Sequence, residues 1–182
     1  FYAHPPTSPL ISHYGDEFPE FLTKFEPARA LAYLPDMARL EIAWLQSYHA
    51  EDAKPARIDE VISAAENADI GALKLRLHPS LRVISSPYSI GSIWRRHHRG
   101  AGEEKLNAAT PECVLVARKD NQVAVEIIPQ DIFTAIAELA NDEPLSKALA
   151  QSANPQTLFE TLFLHDGVIA ATTSHALKEP SS

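Results

Sequence analysis

The chain has 182 residues, a formal net charge of −8, 45% apolar residues and a single cysteine, Cys113. That length suits one sizeable domain or two small ones, and the apolar content indicates a globular chain with no uninterrupted run of membrane-spanning length. One cysteine excludes an intrachain disulfide and a cysteine-based zinc site, and the acidic balance argues against broad phosphate binding.

Pro5, Pro6 and Pro9 make the start extended and semi-rigid, so it reads as a connector or arm. The first residue is Phe1 rather than Met, which suggests a natural N-terminus further upstream. Asp16 is placed to cap a short helix running to about Lys24. Pro35 suits a first-turn position, and the spacing predicts a long helix from there to about Ala50 with Met37, Leu40, Trp44, Leu45 and Tyr48 as its buried stripe. A further helix is predicted near Ile58–Glu66.

The periodicity then switches. Leu73, Leu75 and Leu77 alternate with Lys74, Arg76 and His78, which predicts a half-buried strand, and Leu81–Ser85 predicts a second one beyond the Pro79-Ser80 turn. A short helix carrying Ile90, Ile93 and Trp94 follows, then a loop opened by Gly100 and Gly102. Cys113–Arg118 and Gln122–Ile128 predict a hairpin across Lys119-Asp120-Asn121. Three helices are expected at 130–141, 144–151 and 155–166, with Asn154 capping the last, and a closing strand at 168–173. This reading gives an α+β chain, divided into an extended arm and helical portion at 1–68 and a mixed domain at 69–182. Hairpin, three helices and strand in that order suit a winged-helix-like C-terminal unit.

Charge is unevenly spread. Residues 72–128 hold nine bases against five acids, while residues 1–62 hold ten acids against five bases. The one concentrated cation cluster, Arg95, Arg96 and Arg99, is expected to dock an acidic protein surface, arginine being favoured in interfaces. A winged-helix-like module reads DNA with its third helix or binds a peptide strand at its sheet edge. Here that helix contains no Lys or Arg and carries Glu160 and Asp166, which disfavours phosphate. Val123 and Val125 on the hairpin, with Leu158 and Leu162 on the helix, are therefore the expected peptide contacts. No nucleophile elbow, phosphate loop, dinucleotide fingerprint or metal-spaced ligand set appears, so neither catalytic residues nor a metal or other cofactor are expected.

The most specific string is Tyr33-Leu34-Pro35-Asp36-Met37-Ala38-Arg39-Leu40-Glu41, then Trp44, Tyr48-His49-Ala50 and Asp52, with Leu77-His78-Pro79-Ser80, Ser86-Pro87-Tyr88 and Ile93-Trp94 further on. On these residues the chain resembles the HvfC/BufC peptide-modification chaperone family, also labelled a DNA-binding domain family, without that family's usual upstream helical domain. The resemblance implies a non-enzymatic partner of a multinuclear-iron, peptide-modifying enzyme, which helps present a small Cys-containing precursor peptide for cysteine modification. A cytoplasmic location is expected, with no membrane partner. The alternative is a DNA-binding transcriptional regulator.

Overall fold

A computed structural model describes residues 15–66, 69–99 and 106–173. Among them the elements run α1 (Phe18–Lys24), α2 (Leu34–His49), α3 (Ile58–Glu66), β1 (Leu73–Leu77), β2 (Arg82–Ser86), α4 (Ile90–Arg99), β3 (Glu112–Lys119), β4 (Gln122–Ile128), α5 (Gln130–Ala140), α6 (Leu145–Gln151), α7 (Pro155–Leu164) and β5 (Val168–Thr173). Every strand pair is antiparallel, as the α+β reading expects. No helix among the described residues is long and apolar enough to cross a membrane.

The architecture follows from β3. Its run Cys113–Ala117 is apolar without interruption and all five residues are buried, so both of its faces need a cover. Strand periodicity sends Cys113, Leu115 and Ala117 to one side, against Ile132 and Ile136 of α5, Leu145 of α6 and Leu158 and Leu162 of α7. Val114 and Val116 face the other side, against Leu40 and Ala43 of α2, Ile90 and Trp94 of α4, and Val125 of β4. The sheet order is β2-β3-β4, with Val83 opposite Leu115 and Val116 opposite Val125.

The hairpin turn is shorter than expected. Lys119 pairs with Gln122, leaving a two-residue loop whose Asp120 and Asn121 have φ of 49° and 62°. Both angles lie in the left-handed region that matches the twist of a tight hairpin, and Asp and Asn tolerate it better than most residues. The strand after α7 also forms where predicted, but β5 pairs with β1 in a separate two-stranded sheet, Leu73 opposite Thr173. Hairpin and closing strand therefore lie in different sheets.

Three further expectations change. The division at residue 68 does not divide the core, because Leu40 and Ala43 belong to one face of the sheet and Val61 to the other. Asp16 is not the cap of α1: Glu17 occupies that position and makes no side-chain capping bond. The buried stripe of α2 is rotated from the one expected, with Ala38, Leu40, Ala43 and Ser47 inward while Leu45 and Tyr48 are 37% and 48% exposed. Small side chains let the helix approach the sheet closely, so alanine and serine fill positions that a size-based reading gives to leucine and tyrosine. Asn154 caps α7 as expected, its side chain accepting from Gln156 N at 3.1 Å.

Helix α4 lies tight on the same face. A Cβ at Gly91 would stand 2.7 Å from Ile127 Cγ1 and 3.0 Å from Val114 Cγ2, inside van der Waals contact. Gly91→Ala should therefore destabilise the fold by about 1–3 kcal/mol through overpacking, against the gain of about 1 kcal/mol that alanine normally brings to a helix interior. Urea unfolding of the variant checks this; a raised midpoint would mean that α4 can lift from the sheet at no cost.

Candidate peptide-docking cleft

Three short segments define a cleft of about 590 Å³ beside the sheet. Asp16, Pro19 and Glu20 form the α1 wall, Arg39, Ile42, Ala43 and Gln46 the α2 wall, and Arg82, Val83 and Ile84 of β2 the third side. β2 is an edge strand: it pairs with β3, and among the described residues no second strand lies along its other side. An edge strand keeps backbone donors and acceptors available for another chain.

Polar bonds fix the cleft's framework. Arg39 pairs with Asp36, whose other carboxylate oxygen accepts from Ser86 Oγ at 2.6 Å, while Ser86 Oγ accepts from Tyr88 N at 3.1 Å. This ties the start of α2 to the end of β2. The other end of α2 is held by a buried junction. Ser47 Oγ donates to Ser80 O at 2.6 Å, and His78 Nδ1 stands 2.8 Å from Ser80 Oγ and 3.1 Å from the Ser80 N–H, which donates to it. His78 Nε2 lies 3.2 Å from Ala53 O, which can only accept, so the tautomer with hydrogen on Nε2 fits.

Arg118, from β3, closes the junction. Its backbone N–H donates to Ser80 Oγ at 3.1 Å, and its guanidinium donates to Tyr48 O at 2.7 Å, Ala50 O at 2.8 Å and Asp52 Oδ1 at 2.7 Å. A cation on the last carbonyls of a helix satisfies acceptors that have no intrahelical donor and meets the negative end of the dipole. Asp36, Ser47, Asp52, His78, Ser80 and Ser86 are thus framework residues.

Arg82 is held differently. Its Nη1 donates to Pro79 O at 2.7 Å and Leu81 O at 2.8 Å, and burial pushes the guanidinium below its ordinary value. It is one of the nine bases of residues 72–128 and carries no signal of its own in the sequence. Only strand order, which sequence does not give, puts it on an edge strand.

The predicted site residues fare unevenly. Val125 is 1% exposed and lies in the core with α2 and α4, against which Val123 also packs. Leu158 and Leu162 are both 0% exposed and lie in the core on the opposite face of the sheet. The four expected peptide contacts are therefore split between two cores and form no common surface, because both faces of the sheet are already covered. The hairpin is also tied to the end of α7: Lys119 Nζ donates to Leu164 O at 2.9 Å, and His165 Nε2 lies 3.8 Å from Glu126 Oε2. On α4, Trp94 is buried, Arg95 is half-buried with Nε lacking a partner among the described residues, and Arg96 is exposed. Arg99 is the last residue of that helix. An exposed row runs along α1 and its C-cap, where Phe18, Phe21 and Phe25 stack with centroids 6.2 and 5.1 Å apart.

Among the described residues no group of three or more His, Cys, Asp or Glu side chains could hold a metal ion. No protein-family model matches the chain, and no curated protein matches it significantly, so the family resemblance rests on the residues quoted for it.

Two outcomes follow for the framework. Arg118 is 14% exposed and Asp52 is 95% exposed. Arg118→Ala should cost about 2–3 kcal/mol by stranding the carbonyls of Tyr48 and Ala50, and Asp52→Ala less than about 1 kcal/mol, since its share is an exposed ion pair. Equal losses in urea unfolding would mean that the ion pair, and not the capping of α2, carries the junction.

His165 is held below its ordinary value of 6.5, first by burial; Lys119 adds to this, while Glu126 and Asp166 oppose it. A lowered folded value means full stability above 6.5 and a loss as pH falls through the folded value. The unfolding midpoint of the wild type should thus fall below pH 6.5 more steeply than that of His165→Gln. Parallel curves would assign the acid sensitivity to other groups.

Proposed function

We propose that the protein is a non-enzymatic docking partner. It receives an extended segment of a small Cys-containing precursor peptide and helps present it to an iron-dependent peptide-modifying enzyme. The observation that carries this reading is the edge of β2, which no other strand joins among the described residues, on a cleft with an apolar lining from Ile42, Val83 and Ile84. Strand addition to such an edge derives affinity from the backbone and selectivity from pockets for alternate side chains. The family resemblance supports the same role, and the hairpin, three-helix and strand order keeps the C-terminal part winged-helix-like in sequence. The docking edge moves from β4, where the sequence reading placed it, to β2.

Enzyme docking falls to α4. Buried Trp94 fixes the helix on the sheet, and Arg95, half-buried, and Arg96, exposed, bring cations to it, with Arg99 as its last residue. Arg96 is the exposed member and the cleaner probe, since Arg95 is half-buried. The DNA-binding alternative gains no support from α7, whose exposed side chains include Gln156, Glu160 and Leu164 and no cation.

The test uses fluorescence anisotropy with a labelled precursor peptide encoded beside the protein's gene, and size-exclusion chromatography with the neighbouring enzyme. The peptide should bind. Arg96→Glu should weaken enzyme association through slower, salt-sensitive encounter, with the thermal midpoint unchanged. Absence of peptide binding, or tight and sequence-selective binding to duplex DNA at physiological salt, overturns the proposal.

A further inference from the structure

The charges of the cleft lie on opposite sides. Asp16 and Glu20 line the α1 wall, Glu20 pairing with Lys24 at 2.7 Å, while Arg39, which pairs with Asp36, and Arg82 line the other two sides. Arg82 has no carboxylate partner among the described residues. Its acceptors are two neutral backbone carbonyls, which orient the guanidinium but leave its charge uncompensated. Burial disfavours its charged form. A half-buried cation that has lost water and gained no countercharge favours an incoming anion, and a planar guanidinium matches a carboxylate.

Position supplies the rest. Arg82 is the first residue of β2, and Ile84 follows two places on along the same strand. A strand laid along this edge would pass Ile84 and finish beside Arg82. Glu20 across the cleft disfavours a second anion on that wall, so an acid is directed to the β2 side.

Resting on the peptide-docking reading, we infer that the cleft selects an extended peptide with an acidic and an apolar side chain two residues apart on one face, whose backbone pairs with β2 while the carboxylate pairs with Arg82 and the apolar side chain meets Ile84. The docking segment of the precursor is therefore acidic.

Fluorescein-labelled peptides of about ten residues, a usual strand length, test this by anisotropy. One places Glu and Val two residues apart in a Ser/Thr background, a second has Lys in place of that Glu, and a third is the Glu peptide with N-methylated backbone amides. The Glu peptide should bind the wild type at least about tenfold more tightly than the Lys peptide, in keeping with a charge-assisted pair. Arg82→Gln should remove that preference and Arg82→Lys should retain most of it, with thermal unfolding of both showing that the fold persists. N-methylation should abolish binding. Equal affinities for the Glu and Lys peptides, a preference that survives Arg82→Gln, or undiminished binding of the methylated peptide overturns the inference. If the gene-adjacent precursor binds wild type and Arg82→Gln equally, Arg82 is not the selector and the docking reading stands. If neither precursor nor either designed peptide binds, both fall.

Discussion

The structure depends on one strand that cannot face water on either side. Cys113–Ala117 offers apolar side chains in both directions, and a sheet with two apolar faces must be sandwiched. The helices that follow β4 cover one face. The other is covered by α2, far upstream, together with α4. Recruiting α2 brings α1 along, and α1, α2 and β2 then enclose the cleft. The candidate site is thus a by-product of covering β3.

That arrangement accounts for the polar residues in and around α2. A helix distant in sequence, laid across a sheet, must have its two ends fixed in register. Asp36 with Ser86 does this at one end; Ser47, His78, Ser80 and Arg118 do it at the other. These groups are polar and mostly buried, so each needs a particular partner, and a buried network constrains residue identity more tightly than an apolar contact does. Specificity of sequence here records a fixed joint, while the cleft beside it is lined by ordinary surface residues.

Much of the fold was legible because it is local. Period-two alternation found β1, the apolar runs found β3 and β4, and the Asn154-Pro155 pair found the start of α7. What was hidden depends on pairing between distant segments. The facing of α2 went wrong because hydrophobic size points to Leu45 and Tyr48, whereas close helix–sheet packing buries Ala43 and Ser47. Leu158 and Leu162 looked available for a partner because amphipathic spacing cannot tell an interior face from a binding face. Arg82 acquires meaning only once β2 is known to be an edge.

The pairing of β1 with β5 bears on how the chain acquires its structure. Leu73 finds its partner at Thr173, so nearly all of the described C-terminal half must emerge before this ladder can close. Contacts of such sequence separation carry a large loop-closure entropy and slow the folding of the whole unit. During synthesis β1 remains an unpaired, leucine-rich strand while the three-stranded sheet and its helices assemble around it. Its alternating Lys74 and Arg76 then act as charged gatekeepers, keeping that waiting edge from joining the wrong chain.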